Sequence, residues 1–254
     1  MQVIVIYCTS DLYSGTVAQG SGLLGWSFHG HYIVPAVLQD LAAIPAFRGG
    51  SELLFTGGSA GGIGTFVNYP LVKSTVSWMP VKALPDAGWF LTTMPPYSKK
   101  SEPLGTMLQK GHAAWRGLPP ALCSAALGSK AYLCYSGPVV YKFMPAPLAD
   151  ILVLKSQNDE WTVDHDGLKF PYDAAELAWL VEFAAEVRAS FVVDNVANVF
   201  SANCVYHTSL QLLWTSLAIN GTKLSTAVQD WYFNNATVHL VDSCTTPLCN
   251  DSCI

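Results

Sequence analysis

Short apolar runs alternate along the chain with stretches in which apolar positions recur at helical spacing, and turn residues separate the two. Val3–Tyr7 is uncharged and β-branched and predicts a central strand. Ile33, Val34, Val37, Leu38 and Leu41 fall on one helical face, a pattern that runs through Ala43 and is ended by Pro45. Glu52–Thr56 predicts the next strand. It leads straight into Gly57-Gly58-Ser59-Ala60-Gly61-Gly62, after which Ile63–Tyr69 resumes a helix-like pattern up to Pro70. Val81–Leu84 and Ile151–Leu154 read as further strands, Asp173–Ser190 as an amphipathic helix and Val196–Phe200 as the last strand. Strands alternating with helices predict an α/β fold with a mostly parallel sheet and helices on both faces. The segment Met94–Pro147 is rich in Pro, Gly and Ser and keeps no period, which predicts loops and short helices decorating the core. No repeat is present.

Composition narrows the class. Charged residues make up 12 % of the 254, about half the usual share, while 51 % are hydrophobic and 12 % aromatic, so the chain must bury a core. One domain over 1–254 suffices, with a cysteine-rich tail at 241–254. The net charge is −5 and the longest basic run is Lys99-Lys100, which excludes nucleic acid as an obvious partner. Pro35, Asp40 and Pro45 interrupt one apolar stretch, and Glu176, Glu182, Glu186 and Arg188 another, so no transmembrane segment is expected.

Seven cysteines and three sequons, at Asn220, Asn235 and Asn250, point to an oxidising, glycosylating compartment and a secreted, extracellular or cell-wall location. The first residues lack the basic and apolar regions of a signal peptide. The expectation that reconciles the two is a chain lacking its natural N-terminal part, and the odd cysteine agrees. Cys123 and Cys134 bracket a short loop and could pair. Cys204 could tie to the tail trio Cys244, Cys249 and Cys253, which leaves Cys8 over. The spacing of the trio is atypical for zinc, and disulfides are the expected reading.

Gly57-Gly58-Ser59-Ala60-Gly61 matches G-x-S-x-G between a strand and a helix, the context in which a tight turn lifts a serine hydroxyl above a sheet edge. An incidental serine in a glycine-rich turn is the bland alternative. A phosphate loop is disfavoured because the following Gly-Ile-Gly-Thr lacks the Gly-Lys-Ser/Thr ending. A serine needs a base to take its proton and an acid to orient that base. In this topology the order is Ser, acid, His, and Asp159 follows the strand Ile151–Leu154 while His207 follows Val196–Phe200. Glu160, Asp164 and Asp166 are rival acids whose plain reading is a solvated loop. His29, His31, His112, His165 and His239 are rival bases, each read as a surface or hydrogen-bonded histidine. His165 between Asp164 and Asp166 is a weak metal motif, and no metal or cofactor is called for.

Taken together these motifs resemble the pectin acetylesterase and Notum family of carboxylesterases. Leu53-Leu-Phe-Thr-Gly-Gly-Ser59-Ala-Gly-Gly62 is similar to its nucleophile segment, Asp86-Ala-Gly-Trp-Phe90 to a second signature and Asn158-Asp159-Glu160-Trp161 to its acid loop. Ser201-Ala-Asn-Cys204-Val-Tyr-His207-Thr208 resembles its histidine loop, Asp230-Trp-Tyr-Phe233 the pectin acetylesterase branch and the three-cysteine tail the Notum branch. Tyr7–Gly15 and Phe28-His-Gly30 extend the resemblance over nearly the whole chain.

The resemblance implies an α/β-hydrolase fold that lacks its first strands, with Ser59 as nucleophile, Asp159 as acid and His207 as base. It implies hydrolysis of O-acyl esters on an acylated polysaccharide or a lipid-modified protein, by a chain expected to be monomeric. Ala60 N–H, the residue after the serine, is one oxyanion donor. Family members draw another from an earlier glycine-rich turn without counterpart here. The alternative expectation is therefore a weakened or inactive member that binds a glycan or acyl group, and a further one is a purely structural extracellular domain.

Overall fold

The computed structural model describes every residue except Leu23, Leu24, Pro247 and Ile254. After helices α1 (Gly30–Ala42) and α2 (Pro45–Arg48), strand β1 (Leu53–Gly58) leads into α3 (Ala60–Thr75) and then β2 (Val81–Asp86). The middle of the chain supplies α4 (Leu104–Trp115), α5 (Ala121–Leu127), a 3₁₀ run at Gly128–Tyr135 and α6 (Gly137–Val140). The second half adds β3 (Leu152–Leu154), β4 (Asn158–Asp159), α7 (Glu160–His165), α8 (Ala174–Val193), β5 (Asn198–Ser201) and β6 (Val205–Tyr206). A hairpin of β7 (Ala218–Ile219) and β8 (Thr222–Lys223) precedes α9 (Leu224–Asn234) and β9 (His239–Val241).

Five strands form one sheet in the order β1-β2-β3-β5-β9, and every pairing in it is parallel. Alternation along these strands divides the core in two. Val81, Ala83, Ile151, Val153 and Val199 face a cluster with Val34 and Leu38 of α1, Phe66 and Val72 of α3, and Leu180, Phe183 and Val187 of α8. The intervening Leu84, Leu152, Leu154 and Phe200 pack against Leu224, Ala227, Val228 and Trp231 of α9. A parallel sheet covered on both faces is what the charge-poor composition anticipates.

Helix α8 matches its prediction within a few residues because its start is chemically marked. Asp173 accepts from Ala175 and Glu176 N–H, and the Glu176 carboxylate accepts from Asp173 N–H, a complete capping box.

Four expectations need correction. Val3–Tyr7 forms no strand: residues 1–8 are irregular, with Val3, Ile4 and Ile6 exposed, Val5 packed on the core and the Tyr7 ring set against Tyr13. β-branched residues favour a strand only where a ladder receives them, and no described strand pairs with this segment. Helix α3 does not stop at Pro70 but continues to Thr75. The missing N–H costs about 3 kcal/mol, which burial of Tyr69 and Val72 on either side offsets. β5 is not the last strand, since β9 pairs outside it from Val199↔His239 to Ser201↔Val241. Helix α9, whose buried Leu224, Ala227, Val228 and Trp231 repeat at helical spacing, was absent from the expected elements.

Candidate active site

Strand β1 and helix α3 meet at Ser59, whose backbone sits at φ 57° and ψ −121°. A non-glycine residue there stores about 1–3 kcal/mol of strain, which persists only where the surroundings fix it. They do so through Ser59 N–H, which donates to Asp86 O at the end of β2 (3.0 Å), and through the close approach of α3 to the following loop. A Cβ on Gly62 would lie 2.3 Å from Asp86 O and 2.9 Å from Gly88 N, so only glycine lets the helix seat this deeply. Ser59 Oγ is thereby held at the N-terminus of a sixteen-residue helix. Ala60, the first residue of that helix, has no acceptor for its N–H one turn back within it.

A second, two-stranded parallel pair brings acid and histidine together. β4 pairs β6 with Asp159 opposite Tyr206, so His207 emerges beside the Asp159 side chain. His207 Nδ1 lies 3.1 Å from both Asp159 oxygens and Nε2 lies 2.6 Å from Ser59 Oγ. Asp159 is fully buried, caps α7 by accepting from Thr162 N–H, and faces Lys155 Nζ at 2.9 Å. Burial pushes the Asp159 carboxyl up, and the attraction of Lys155 and His207 outweighs it, holding the group below the usual carboxylate range.

The loop after His207 is pinned from below. Asp86, 1 % exposed, accepts from Ser209 N–H, Ser209 Oγ and Leu210 N–H at 2.9 to 3.0 Å. Burial raises its carboxyl pKa despite these three bonds. Behind the loop, Cys204 is bonded to Cys253, so the tail holds the histidine segment. Cys123 is bonded to Cys134 and Cys244 to Cys249, and Cys8 is exposed and free.

The rival residues lie elsewhere. His165 stacks flat on Trp161 and its Nε2 contacts Glu102 O at 2.9 Å. Burial raises Asp166 to about 6. Glu160 begins α7 and points to solvent, and Asp164 ion-pairs at the surface with Lys169. His112 contacts Tyr135 Oη, and His29, His31 and His239 make no contact with the serine. Lys155 and the loop-pinning role of Asp86 escaped the sequence reading, because neither residue type at its position signals a partner distant in sequence.

Of the sequons, Asn220 sits exposed at the tip of the β7–β8 hairpin, where it and Gly221 both adopt positive φ. Asn235 is exposed and its Oδ1 accepts from Lys82. Asn250 Nδ2, the atom a glycan would occupy, donates to Ala218 O and Asp242 Oδ2.

The serine-histidine-aspartate arrangement can move a proton from Oγ to Nε2 while the carboxylate holds Nδ1. Comparison with known proteins agrees with this chemistry. The chain is 28 % identical over 239 residues to the palmitoleoyl-protein carboxylesterase NOTUM of Drosophila melanogaster, covering 90 % of this chain and 35 % of that protein. It is 26 % identical over 281 residues to NOTUM of Homo sapiens, covering 99 % and 55 %. It thus spans between about a third and just over half the length of these curated relatives. A crystal structure of the Wnt deacylase Notum from Drosophila superposes with a TM-score of 0.88 at 27 % identity, over 98 % of this chain and 73 % of that one. That likeness makes the fold α/β-hydrolase-like, and with the pectinacetylesterase family model matching residues 2–254, the chain is a member of the pectinacetylesterase family.

Proposed function

We propose that the chain carries the catalytic centre of a serine carboxylesterase acting on O-acyl esters. The carrying observation is the continuous contact from Ser59 Oγ through the His207 ring to a buried, ionised Asp159. His207 Nε2 takes the Ser59 proton as Oγ attacks the acyl carbon, and Asp159 stabilises the imidazolium that results. The tetrahedral oxyanion accepts from Ala60 N–H; removing one such donor typically costs about 10² to 10³ in rate. His207 then returns the proton to the leaving alcohol, and water releases the acid from acyl-Ser59 by the reverse sequence.

The family is named for pectin acetyl esters and the relatives for a palmitoleoyl protein, and both names denote O-acyl esters. An acylated polysaccharide or a lipid-modified protein is accordingly the proposed substrate class. Phe90, with its ring 6.3 Å from His207 and 5.4 Å from Trp161, forms an apolar wall for the acyl group. The three disulfides and the exposed sequons at Asn220 and Asn235 support an extracellular glycoprotein.

Ser59→Ala tests the assignment. It should lower kcat on acetyl and octanoyl esters about 10⁴-fold or more and abolish fluorophosphonate labelling. Turnover retained in that variant would refute Ser59 as nucleophile. An unlabelled wild-type chain that still binds pectin fragments or an acylated peptide would favour a binding protein.

A further inference from the structure

Residues Lys155 to Asp159 form an unbroken buried polar run crossing the C-terminal ends of β3 and β5. Four of the five have structural partners that explain their presence. Ser156 Oγ donates to Cys204 O, Gln157 bridges Ser201 O, Asp242 O and Arg188, Asn158 donates to Asn203 Oδ1, and Asp159 holds His207. Lys155 is different. Its side chain is 1 % exposed and its ammonium has one charged contact, Asp159 Oδ2 at 2.9 Å, off the hydrogen-bond direction. The Phe90 ring closes the other side, 4.4 Å from Nζ to its centroid.

A fully desolvated ammonium is among the costliest groups a core can hold, and apolar residues of similar size would serve packing as well. Its position matters more than its cost. Asp159 Oδ2 lies between the two, 2.9 Å from Lys155 Nζ and 3.1 Å from His207 Nδ1, which puts the ammonium within about 6 Å of the ring.

We propose that Lys155 is a positioning residue that acts through Asp159. It keeps the carboxylate ionised in the buried site and shares its negative charge with the histidine, so that the Asp159–His207 pair gives up its proton at lower pH. The esterase would then work further into acid than a triad whose carboxylate faces the histidine alone. The inference rests on the esterase reading for its catalytic consequence, but not for the electrostatic coupling itself. The buried Asp159 carboxyl is held down chiefly by Lys155, while burial leaves Lys155 itself below the usual lysine range although Asp159 and then Asp86 oppose that.

Other groups bear on the pair without replacing Lys155. Asp86 approaches from the end of β2, Thr162 N–H from α7 and the buried Tyr206 phenol from β6, while Arg188 of α8 engages Gln157 and Asp242 lies beyond β9.

The test uses the full chain as wild type, Lys155→Met and Lys155→Gln. The glutamine removes the charge while keeping polar atoms, and it serves where the methionine variant does not fold. One readout is the NMR titration of the His207 ring, assigned with His207→Asn, which reports proton uptake by the pair without requiring activity. The other is the ascending limb of kcat/KM against pH on an activated acetyl ester.

At about 6 Å and an effective dielectric near 20, removing the ammonium should move both upward by about 1 to 2 pH units. A merely structural lysine would change stability or the rate plateau but not the midpoints. Ring titration within about 0.3 unit of wild type overturns the proposal whatever the activity. A shifted ring titration in a chain that neither hydrolyses esters nor labels at Ser59 overturns the esterase reading alone.

Discussion

Asp86 offers a quantitative handle on how the histidine loop is held, because its three hydrogen bonds are local, buried and directed at two consecutive residues just past His207. Replacing it by alanine removes all three acceptor contacts and leaves Ser209 N–H, Ser209 Oγ and Leu210 N–H without a partner. Hydrogen bonds to a charged group contribute about 1.5–3 kcal/mol each, so three would sum to between about 5 and 9. Two effects reduce that figure. Burial already disfavours the ionised carboxylate, as its raised pKa shows, and the loop can turn some of its donors to water. A loss of about 3–5 kcal/mol is expected for Asp86→Ala. Asp86→Asn, which keeps one carbonyl oxygen, should lose about 1–3. Urea unfolding followed by tryptophan fluorescence reads both, with the midpoint shift multiplied by an unchanged m-value. Kinetically the alanine variant should lose kcat with little change in KM, since the freed segment adjoins His207, the proposed base, and not Phe90 and Trp161, the proposed wall for the acyl group. If Asp86→Ala unfolds within about 0.5 kcal/mol of wild type, the loop is held by something else and the argument fails.

Two further outcomes follow from the same site region. Asp166, raised to about 6 by burial, binds its proton more tightly folded than unfolded, so its contribution to stability is full below about pH 4 and is lost as pH rises through 6. Asp166→Asn should therefore stabilise the chain at pH 7.5 by about 1 kcal/mol, after discounting for solvent screening, and leave it unchanged near pH 4; urea midpoints at the two pH values check this. Adjacent glycines should respond with opposite sign. A Cβ on Gly62 meets backbone at 2.3 Å whereas one on Gly61 meets nothing within 4 Å, so Gly62→Ala should cost about 1–3 kcal/mol and Gly61→Ala should gain up to about 1, both read from thermal or urea unfolding.

That contrast also shows what a sequence pattern conceals. The motif residue Gly61 could carry a side chain, while Gly62, outside the motif, seats α3 against Gly88. Strand β1, helix α8 and the order Ser59, Asp159, His207 were legible because each rests on neighbours in sequence: an apolar run, a capping box, a strand followed by a candidate residue. Val3–Tyr7 departs from its expected strand for the converse reason, since a β-branched run signals a strand only if a partner strand arrives, and sequence carries no register. Helix α9 carries a helical period of its own, with Leu224, Ala227, Val228 and Trp231 buried along one face. Lys155 could not have been found by composition, because a lysine is expected at the surface and only the packing of Phe90 and the β3–β5 crossover buries it.

The parts of the site that disobey local preference are the parts that the sheet holds most firmly. Ser59 sits at a strained φ, yet its N–H is tied to β2 and its helix is wedged against the loop that follows β2. Asp159 and Lys155 are ionisable and dry, yet Lys155 N–H donates to Phe200 O at the end of β5 and Asp159 lies opposite Tyr206. Each unfavourable placement is therefore over-determined by backbone hydrogen bonds from a neighbouring strand, and relaxing it would mean breaking the sheet ends. This makes the serine-histidine distance insensitive to surface change and sensitive to Asp86, Gly62 and Cys204, none of which touches Ser59 Oγ. Mutations that leave the three site residues intact but loosen those three supports should accordingly resemble mutations of the site itself in kcat, and differ from them in unfolding midpoint.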